Sequence, residues 1–270
     1  MRWLPHGEPP TSATRVFCFP HAGGGAGSFA EWPAVAGITV CPVQPPGRAE
    51  RFREPPHRSV ESYADSLLAG LGHQFTGHYA FFGHSVGALV AYRLTRRLRA
   101  LGATPPAHLF VSGRAAPHLP YTRPPLHDLP AAELVPHLRR MGGTPDVFLD
   151  DPALLDVFLP VLRADFTTNE TYRHEPGLPL PVPLTAFGGT EDPRADAEEL
   201  HAWGALTSAA FAVHTYPGGH FYLESHAPSV LDMIASGIRQ DGDRAVRQAR
   251  STGDGRHLAR TATHRKDKDS

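Results

Sequence analysis

The G-x-S-x-G sequence at Gly83–Gly87 most constrains the fold, because it lies where a buried-strand pattern changes into a helix pattern. Residues 78–82 form a short apolar run, and apolar residues then recur at helical spacing until Gly102. Strand, tight turn and helix are the setting in which such a sequence presents its serine as a nucleophile. We predict that Ser85 is catalytic. A turn of small residues that only packs a helix on a sheet is the alternative.

The rest of the chain favours an α/β fold, because short apolar runs alternate with helical patterns. This alternation predicts a mostly parallel central sheet flanked by helices. A helix is predicted over Val60–Phe75, where Ser59 is the N-cap, and a last helix over Pro228–Arg239. The predicted strands are Arg15–Phe19, Ile38–Val43, Tyr79–Phe82, His108–Ser112, Val182–Phe187 and Ala212–Tyr216.

The alternation is interrupted between about residues 115 and 181, where helical patterns over Ala131–Met141 and Pro152–Tyr172 lie between proline-rich segments. An insertion of this kind between two core strands predicts a helical lid over the site. The alternative is that these helices only cover the sheet. We predict one domain over residues 1–240, followed by a charged tail at 241–270. The tail is almost without large apolar residues, which predicts disorder, with partner binding as the alternative.

Composition narrows the possible classes of function. A formal net charge of -1 and 20% charged residues give no general attraction to nucleic acid or to membranes. Residues 1–10 contain no apolar core of signal-peptide length, and we expect that no segment could span a bilayer. Cys18 and Cys41 lie in predicted strands, which indicates buried core residues rather than a disulfide framework. We therefore expect a cytoplasmic enzyme.

A serine nucleophile needs a histidine to accept its proton and an acid to orient that histidine. In the α/β-hydrolase fold these groups follow in the order serine, acid, histidine, each at the end of a strand. Asp192 comes just after the predicted strand Val182–Phe187 and two glycines, so we predict that it is the acid. Glu191 and Asp196 are its rivals, and we expect both to be exposed loop carboxylates.

His220 is the predicted base, because it follows the last predicted strand and two glycines that permit a tight loop. The chain has 17 histidines, most of them without such a position. His214 lies inside a predicted strand, His226 is expected to open the last helix, and His84 precedes the nucleophile.

A glycine-rich loop at residues 21–25 follows the first predicted strand. In hydrolases, such a loop supplies one backbone N–H group to the oxyanion hole, and the residue after the nucleophile supplies the other. We therefore predict that the N–H groups of Ala22 and Val86 form this hole. The competing interpretation, a phosphate-binding loop, requires glycine spacings and a Lys-Ser or Lys-Thr pair that this segment lacks.

Together these residues resemble the type II thioesterases that accompany modular polyketide synthases and nonribosomal peptide synthetases. The resemblance extends from about Arg15 to Ile238, and one departure is Val86, where the family more often has methionine. Only a backbone N–H is needed at that position, so the departure does not put activity in doubt. The motifs that carry the resemblance are Phe19–Gly24, Gln44–Arg48, Gly83–Gly87, Leu162–Phe166 and Pro217–Phe221.

The resemblance implies hydrolysis of acyl groups from the phosphopantetheine arm of acyl or peptidyl carrier proteins, which removes stalled or wrongly primed chains. It implies that Ser85 attacks the thioester, that His220 is base and then acid, and that Asp192 orients His220. No metal ion or bound cofactor is implied, and we expect a monomer. The alternatives are a generic carboxylesterase or lipase with the same triad, and a non-catalytic scaffold that binds carrier proteins.

Two further features have open interpretations. The resemblance places Asp165 in the lid, where its carboxylate would line the access channel; a helix-surface pair with Arg163 or a cap is the alternative. A basic cluster in one loop is a candidate docking surface for acidic carrier proteins, and a solvated loop with local acids is the alternative. The basic cluster consists of Arg48, Arg51, Arg53 and Arg58.

Overall fold

The structure, a computed structural model, describes residues 3–10 and 12–242. The strands are β1 (Thr14–Phe19), β2 (Ile38–Pro42), β3 (Tyr79–His84), β4 (Leu109–Ser112), β5 (Leu184–Gly189) and β6 (Phe211–Tyr216). They form one sheet in the order β2-β1-β3-β4-β5-β6, and all neighbouring strands are parallel. All six predicted strands are present, with ends shifted by one or two residues, and the mostly parallel sheet is confirmed.

Helices cover both faces of this sheet. They are α1 (Val60–Leu71), α2 (Val86–Ala100), α3 (Ala131–Met141), α4 (Asp146–Asp150), α5 (Pro152–Glu170), α6 (Ala197–His201) and α7 (223–242). Single turns of 3-10 helix lie at Ala26–Phe29, Ala49–Arg51, Gly72–Gln74 and Ala202–Leu206. One large apolar cluster joins the sheet to α1 and α2, and another joins it to α7. A sheet buried on both faces explains why its strands have near-continuous apolar runs.

Two predicted helix boundaries were wrong. The first helix ends at Leu71, where the chain tightens into a 3-10 turn before Phe75. The last helix begins at residue 223, five residues before the predicted start, so His226 lies inside it. Leu223 is buried in the same cluster as Val230, and this packing offsets the one helical hydrogen bond that Pro228 cannot make.

The insertion between β4 and β5 contains α3, α4 and α5. Helix α4 is too short for its pattern to be seen in the sequence. The three helices have an apolar cluster of their own, centred on Leu134, Leu138, Leu162 and Phe166. Most of the predicted charged tail, residues 243–270, lies outside the described residues. Residues 241–242 continue α7, and the Asp241 carboxylate lies 2.6 Å from Nδ1 of His108.

The strand order places the functional loops together. The chain leaves β1 toward β2 on one side and then crosses to β3 on the other, so the order reverses at β1. Ligands of open parallel sheets bind beyond the carboxyl ends of the strands at such a reversal. Ala22 and Ser85 follow β1 and β3 there, and Asp192 and His220 follow β5 and β6. No helix in the described ranges is long and apolar enough to cross a membrane.

Candidate active site

Ser85 occupies a strained turn between β3 and α2. Its φ of 57° and ψ of -120° lie outside the regions that non-glycine residues favour. The glycines on either side allow this turn, because a Cβ on Gly83 would lie 2.1 Å from the Gly87 carbonyl oxygen. A Cβ on Gly87 would lie 2.2 Å from the carbonyl oxygen of Phe19. The G-x-S-x-G sequence is therefore required by close backbone contacts.

Replacing Gly87 by alanine is expected to destabilise the fold by about 3 kcal/mol, because the new methyl group overlaps backbone atoms that cannot rotate away. Because β1 or α2 must shift to relieve the overlap, activity falls as well. The matched control is Gly72→Ala, where no atom lies within 4 Å of the added Cβ and φ is -54°. Urea unfolding and hydrolysis rates measure both effects, and equal stability of the two variants would contradict the steric account.

Asp192 and His220 form a buried hydrogen-bonded pair. Nδ1 of His220 lies 2.9 Å and 3.1 Å from the two carboxylate oxygens of Asp192. An ionised carboxylate can only accept hydrogen bonds, so Nδ1 of His220 carries the hydrogen. Nε2 is then free to take a proton from the serine. The rivals behave as expected, since Glu191 is exposed. Asp196 is exposed too, and it caps α6 by accepting from the N–H of Glu199.

Ser85 and His220 line the same small cavity together with Ala22, although no hydrogen bond within 3.5 Å joins the two side chains in the described part of the chain. Such serine–histidine contacts are often long in unliganded hydrolases and tighten in the substrate complex. The rest of the cavity wall is largely apolar and comes from the insertion. It includes Leu138, Met141, Leu162 and Phe166.

The two predicted oxyanion donors have no competing acceptor. Among the described residues the backbone N–H of Ala22 has no hydrogen-bond partner, whereas the next N–H, of Gly23, donates to Asp165. Val86 is the first residue of α2, and the first N–H groups of a helix have no partner within it. Both N–H groups are therefore available to a developing oxyanion beside Ser85.

Two other imidazoles lie close to His220. The ring centroid of His84 is 4.9 Å from that of His220, and His21 borders the cavity containing Ser85. Burial, with the nearby His220, lowers the pKa of His21 to about 3 and lowers the pKa of His84 well below its usual value. Both rings are therefore neutral at pH 7. Nδ1 of His84 lies 2.9 Å from Oγ of Ser112, a contact that the sequence did not predict.

The comparison with known proteins decides the family. The sequence profile of the thioesterase domain matches residues 14–237. The chain belongs to the thioesterase family. The α/β-hydrolase fold and the resemblance to type II thioesterases inferred from the sequence are thereby confirmed.

Individual relatives match the thioesterase over most of their length. This chain is 41% identical over 229 residues to a Brevibacillus parabrevis protein named linear gramicidin dehydrogenase LgrE, and the match covers 83% of this chain and 87% of that one. It is 40% identical over 240 residues to thioesterase PikA5 of Streptomyces venezuelae, covering 86% and 84%. The solved structure of the RedJ thioesterase from the prodiginine pathway of Streptomyces coelicolor is 39% identical, with a TM-score of 0.78 and coverage of 86% and 89%.

Asp165 of the thioesterase is buried and links the insertion to two loops of the core. Its carboxylate accepts a hydrogen bond from the N–H of Gly23, at 2.8 Å, and pairs with the guanidinium of Arg48. The alternative of a surface pair with Arg163 is wrong, because Arg163 donates instead to the backbone carbonyls of residues 127 and 129. The role of Asp165 in lining an access channel stays a prediction.

Replacing Asp165 by asparagine is expected to lower the free energy of unfolding by about 3 kcal/mol, because Arg48 then remains largely buried without its counter-charge. Asp65→Asn is the matched control, since Asp65 pairs with Arg97 through exposed side chains and its loss costs less than about 1 kcal/mol. Denaturant unfolding of the two variants tests this difference. Equal losses would show that Asp165 does not hold the insertion to the core.

The structure divides the basic cluster into two parts. The side chain of Arg48 points to Asp165, and that of Arg51 is buried against Trp3, with its guanidinium carbon 4.1 Å from the ring centroid. Arg53 and Arg58 are exposed. Only these last two remain candidates for contact with another protein, so the cluster as predicted was too large.

Proposed function

We propose that this protein is a type II thioesterase that hydrolyses acyl groups from the phosphopantetheine arm of acyl or peptidyl carrier proteins. The observation that carries the proposal is the buried His220–Asp192 pair facing the same cavity as Ser85, in a chain that matches the thioesterase family over residues 14–237. Removal of stalled or wrongly primed acyl groups would follow from this activity.

In the proposed mechanism Ser85 Oγ attacks the thioester carbonyl while Nε2 of His220 accepts its proton. The carboxylate of Asp192 stabilises the imidazolium that forms. The tetrahedral oxyanion is bound by the N–H groups of Ala22 and Val86. The thiolate then leaves with the proton from His220, and an acyl-enzyme remains on Ser85.

Hydrolysis of the acyl-enzyme repeats these steps with water as the nucleophile. His220 takes a proton from water, and the resulting hydroxide attacks the ester carbonyl. His220 then returns the proton to Ser85 Oγ, which releases the free acid. The proposed reaction needs no metal ion or cofactor.

We infer that the insertion at about residues 115–181 acts as a lid. Its helices α3 and α5 supply apolar side chains to the cavity that contains Ser85, including Leu138 and Phe166. Covering the ester from bulk water strengthens the interactions with the oxyanion and excludes side reactions.

The name of the relative LgrE raises a different activity, dehydrogenation. Hydride transfer to or from a nicotinamide is typically associated with a G-x-G-x-x-G turn after a strand. After β1 the chain has Gly25, Gly27 and Ala30, but these residues form a single 3-10 turn and do not begin the α-helix whose N-terminus would bind the pyrophosphate. Ser85, Asp192 and His220 instead match the requirements of acyl transfer, so we propose hydrolysis. A monomeric, cytoplasmic enzyme is the accompanying expectation.

Three substrates with the same acyl group distinguish the proposed function from a generic esterase. We expect the largest kcat/KM for the acyl-carrier protein, a smaller one for the acyl-pantetheine and the smallest for the nitrophenyl ester. A nitrophenyl ester turned over faster than the carrier-bound acyl group would favour the carboxylesterase. A wild-type protein that no serine-directed fluorophosphonate labels would favour the non-catalytic scaffold.

The exposed arginines Arg53 and Arg58 allow a test of carrier-protein docking. Because carrier proteins are typically acidic, Arg53→Gln with Arg58→Gln is expected to raise KM for the acyl-carrier protein by about fivefold and to leave KM for acyl-pantetheine unchanged. The control is Arg97→Gln, because Arg97 lies on α2, outside this loop, and its side chain is also accessible to solvent. The same change in KM for both substrates would show that these arginines do not contact the carrier protein.

A further inference from the structure

His84, the residue before the nucleophile, is the last residue of β3 and is almost fully buried. The mechanism above gives it no role, although its ring lies beside the catalytic base. The ring centroids of His84 and His220 are 4.9 Å apart, and the two ring planes form an angle of 36°. A second imidazole is thus in contact with the group that accepts the serine proton.

A short chain of hydrogen bonds holds the His84 ring. Oγ of Ser112, at the end of β4, lies 2.9 Å from Nδ1 of His84 and 2.7 Å from Oη of Tyr222. Tyr222 is buried and follows the catalytic base by two residues. The chain therefore connects the neighbour of the nucleophile with the loop of the base. It does so through the end of a strand that lies between β3 and β6 in the sheet.

The direction of these hydrogen bonds follows from the number of hydrogens. Oη of Tyr222 has one hydrogen, and within the described residues Ser112 is its only hydrogen-bond partner. When Tyr222 donates to Ser112, the Ser112 hydroxyl donates to Nδ1 of His84, and both hydroxyl hydrogens have an acceptor. The opposite direction would leave the buried Tyr222 hydrogen without an acceptor, which is unfavourable. His84 therefore carries its ring hydrogen on Nε2.

His84 is neutral at neutral pH, and its Nε2 makes no hydrogen bond to the described residues. Burial lowers the pKa of His84 well below its usual value, and the neighbouring imidazoles of His220 and His21 add to this effect. The carbonyls of Ser112 and His220 raise the pKa but do not offset the burial. A charged ring at this distance would repel the imidazolium that forms on His220 during the reaction, and the neutral ring does not.

The hydrogen bond to Asp192 does not by itself fix the plane of the catalytic ring. It fixes the tautomer and the end of the ring that carries Nδ1, but the ring can still tilt about that end. The His84 ring packs against His220 and opposes this movement. Gly113 makes room for both rings, because a Cβ there would lie 2.6 Å from Cε1 of His84 and 3.3 Å from Cε1 of His220.

We propose, on the basis of the thioesterase function proposed above, that His84 is a positioning residue for the catalytic base. Its ring holds His220 with Nε2 toward Ser85, and the hydrogen-bond chain through Ser112 and Tyr222 holds the ring of His84. His84 exchanges no proton in the reaction and acts only through His220. A displacement of about 1 Å can lower a rate by about a hundredfold, so support of this kind has a large kinetic effect.

The first test separates the His84 ring from its hydrogen bond. His84→Asn keeps a polar group near the position of Nδ1 but removes the ring, and we expect kcat to fall about a hundredfold with KM changed less than about twofold. Ser112→Ala keeps the ring but removes its hydrogen-bond partner, and we expect kcat to fall about tenfold. His214→Asn is the matched control, because His214 also stacks on a ring, that of Phe187, but is not in contact with His220. Its kcat should equal that of the wild type.

A double-mutant cycle tests whether His84 acts through His220. His220→Ala removes the base, so His84→Asn should cause no further loss in that background. A further loss in the double variant would show that His84 supports the serine turn or the oxyanion hole instead, and would overturn the proposal. Thermal unfolding of each variant shows that the proteins compared are folded.

Inactivation by a fluorophosphonate tests the proposal without a carrier protein, because Ser85 needs the same base in that reaction. We expect the inactivation rate constant of His84→Asn to fall by a factor similar to that of kcat. A wild type that reacts with the fluorophosphonate but hydrolyses no acyl-carrier protein would count against the proposed function, and the inactivation rates would still test the role of His84.

Rates equal to those of the wild type in His84→Asn and Ser112→Ala would overturn the inference. If His84→Asn does not fold, Ser112→Ala decides, since its side chain is small and its loss leaves the His84 ring in place. A tenfold lower rate with unchanged KM then supports the positioning role, and a full rate contradicts it.

Discussion

Replacing Ser85 by alanine is expected to lower kcat for an acyl-carrier protein by about 10⁶-fold, because the hydroxyl that forms the acyl-enzyme is lost. Alanine keeps the Cβ and adopts the same positive φ as serine, so the turn at residue 85 is not strained further. We therefore expect thermal unfolding of the variant to be unchanged within a few degrees. Rates are measured by the appearance of the free carrier-protein thiol.

Ser62→Ala provides the control for this substitution, because Ser62 is an exposed serine on α1 that does not line the cavity containing Ser85. It should retain wild-type activity. A Ser85→Ala variant that keeps more than about a hundredth of the wild-type kcat would show that another group forms the covalent intermediate, or that none does.

The second large effect concerns the orientation of His220. Asp192→Asn is expected to lower kcat by about 10⁴-fold, because an amide can donate to Nδ1 and so favour the tautomer whose Nε2 carries a hydrogen. That tautomer cannot accept the serine proton. Asp192 and His220 are both buried, so water does not replace the lost acceptor. KM should change much less than kcat.

Glu191→Gln is the matched control for Asp192→Asn, because Glu191 is adjacent in the chain but exposed. Its activity should equal that of the wild type. If Glu191→Gln lost activity and Asp192→Asn did not, the acid would be Glu191, and the hydrogen bond between Asp192 and His220 would be structural only. Circular dichroism and thermal unfolding exclude the possibility that either variant is unfolded.

Much of the fold and of the candidate triad could be predicted because the signals are local. Each strand of a parallel sheet is a short apolar run, and Ser85, Asp192 and His220 each follow such a run within a few residues. A parallel sheet brings the carboxyl ends of its strands to one edge. Position after a strand was therefore enough to bring Asp192 and His220 together, although 28 residues separate them.

Contacts that cross the fold could not be predicted in this way. The partner of Asp165 is Arg48, which lies 117 residues earlier in the chain, and no spacing rule relates the two. Sequence proximity had instead suggested Arg163. A small cavity beside Ser85 has the same origin, because Arg114 follows β4 and Arg194 follows β5, whereas Asn169 comes from the insertion. Only the packing of α5 on the core places them around one space.

The helix ends were mispredicted for a related reason. Proline usually marks a helix start, and Pro228 therefore suggested a start too late in the chain. Burial of Leu223 against the sheet extends α7 back through Pro228. Local preference was overridden by tertiary packing, which a pattern in one sequence does not contain.

The central claim is that Ser85 takes an acyl group directly from a carrier-bound thioester, and intact-protein mass spectrometry tests it most directly. The enzyme is mixed with a propionyl-carrier protein and quenched within milliseconds to seconds. The account predicts that the propionyl mass disappears from the carrier protein, appears transiently on the wild-type enzyme, and does not appear on the Ser85→Ala variant. A carrier protein that keeps its propionyl group, or that loses it equally fast with Ser85→Ala, would contradict the account.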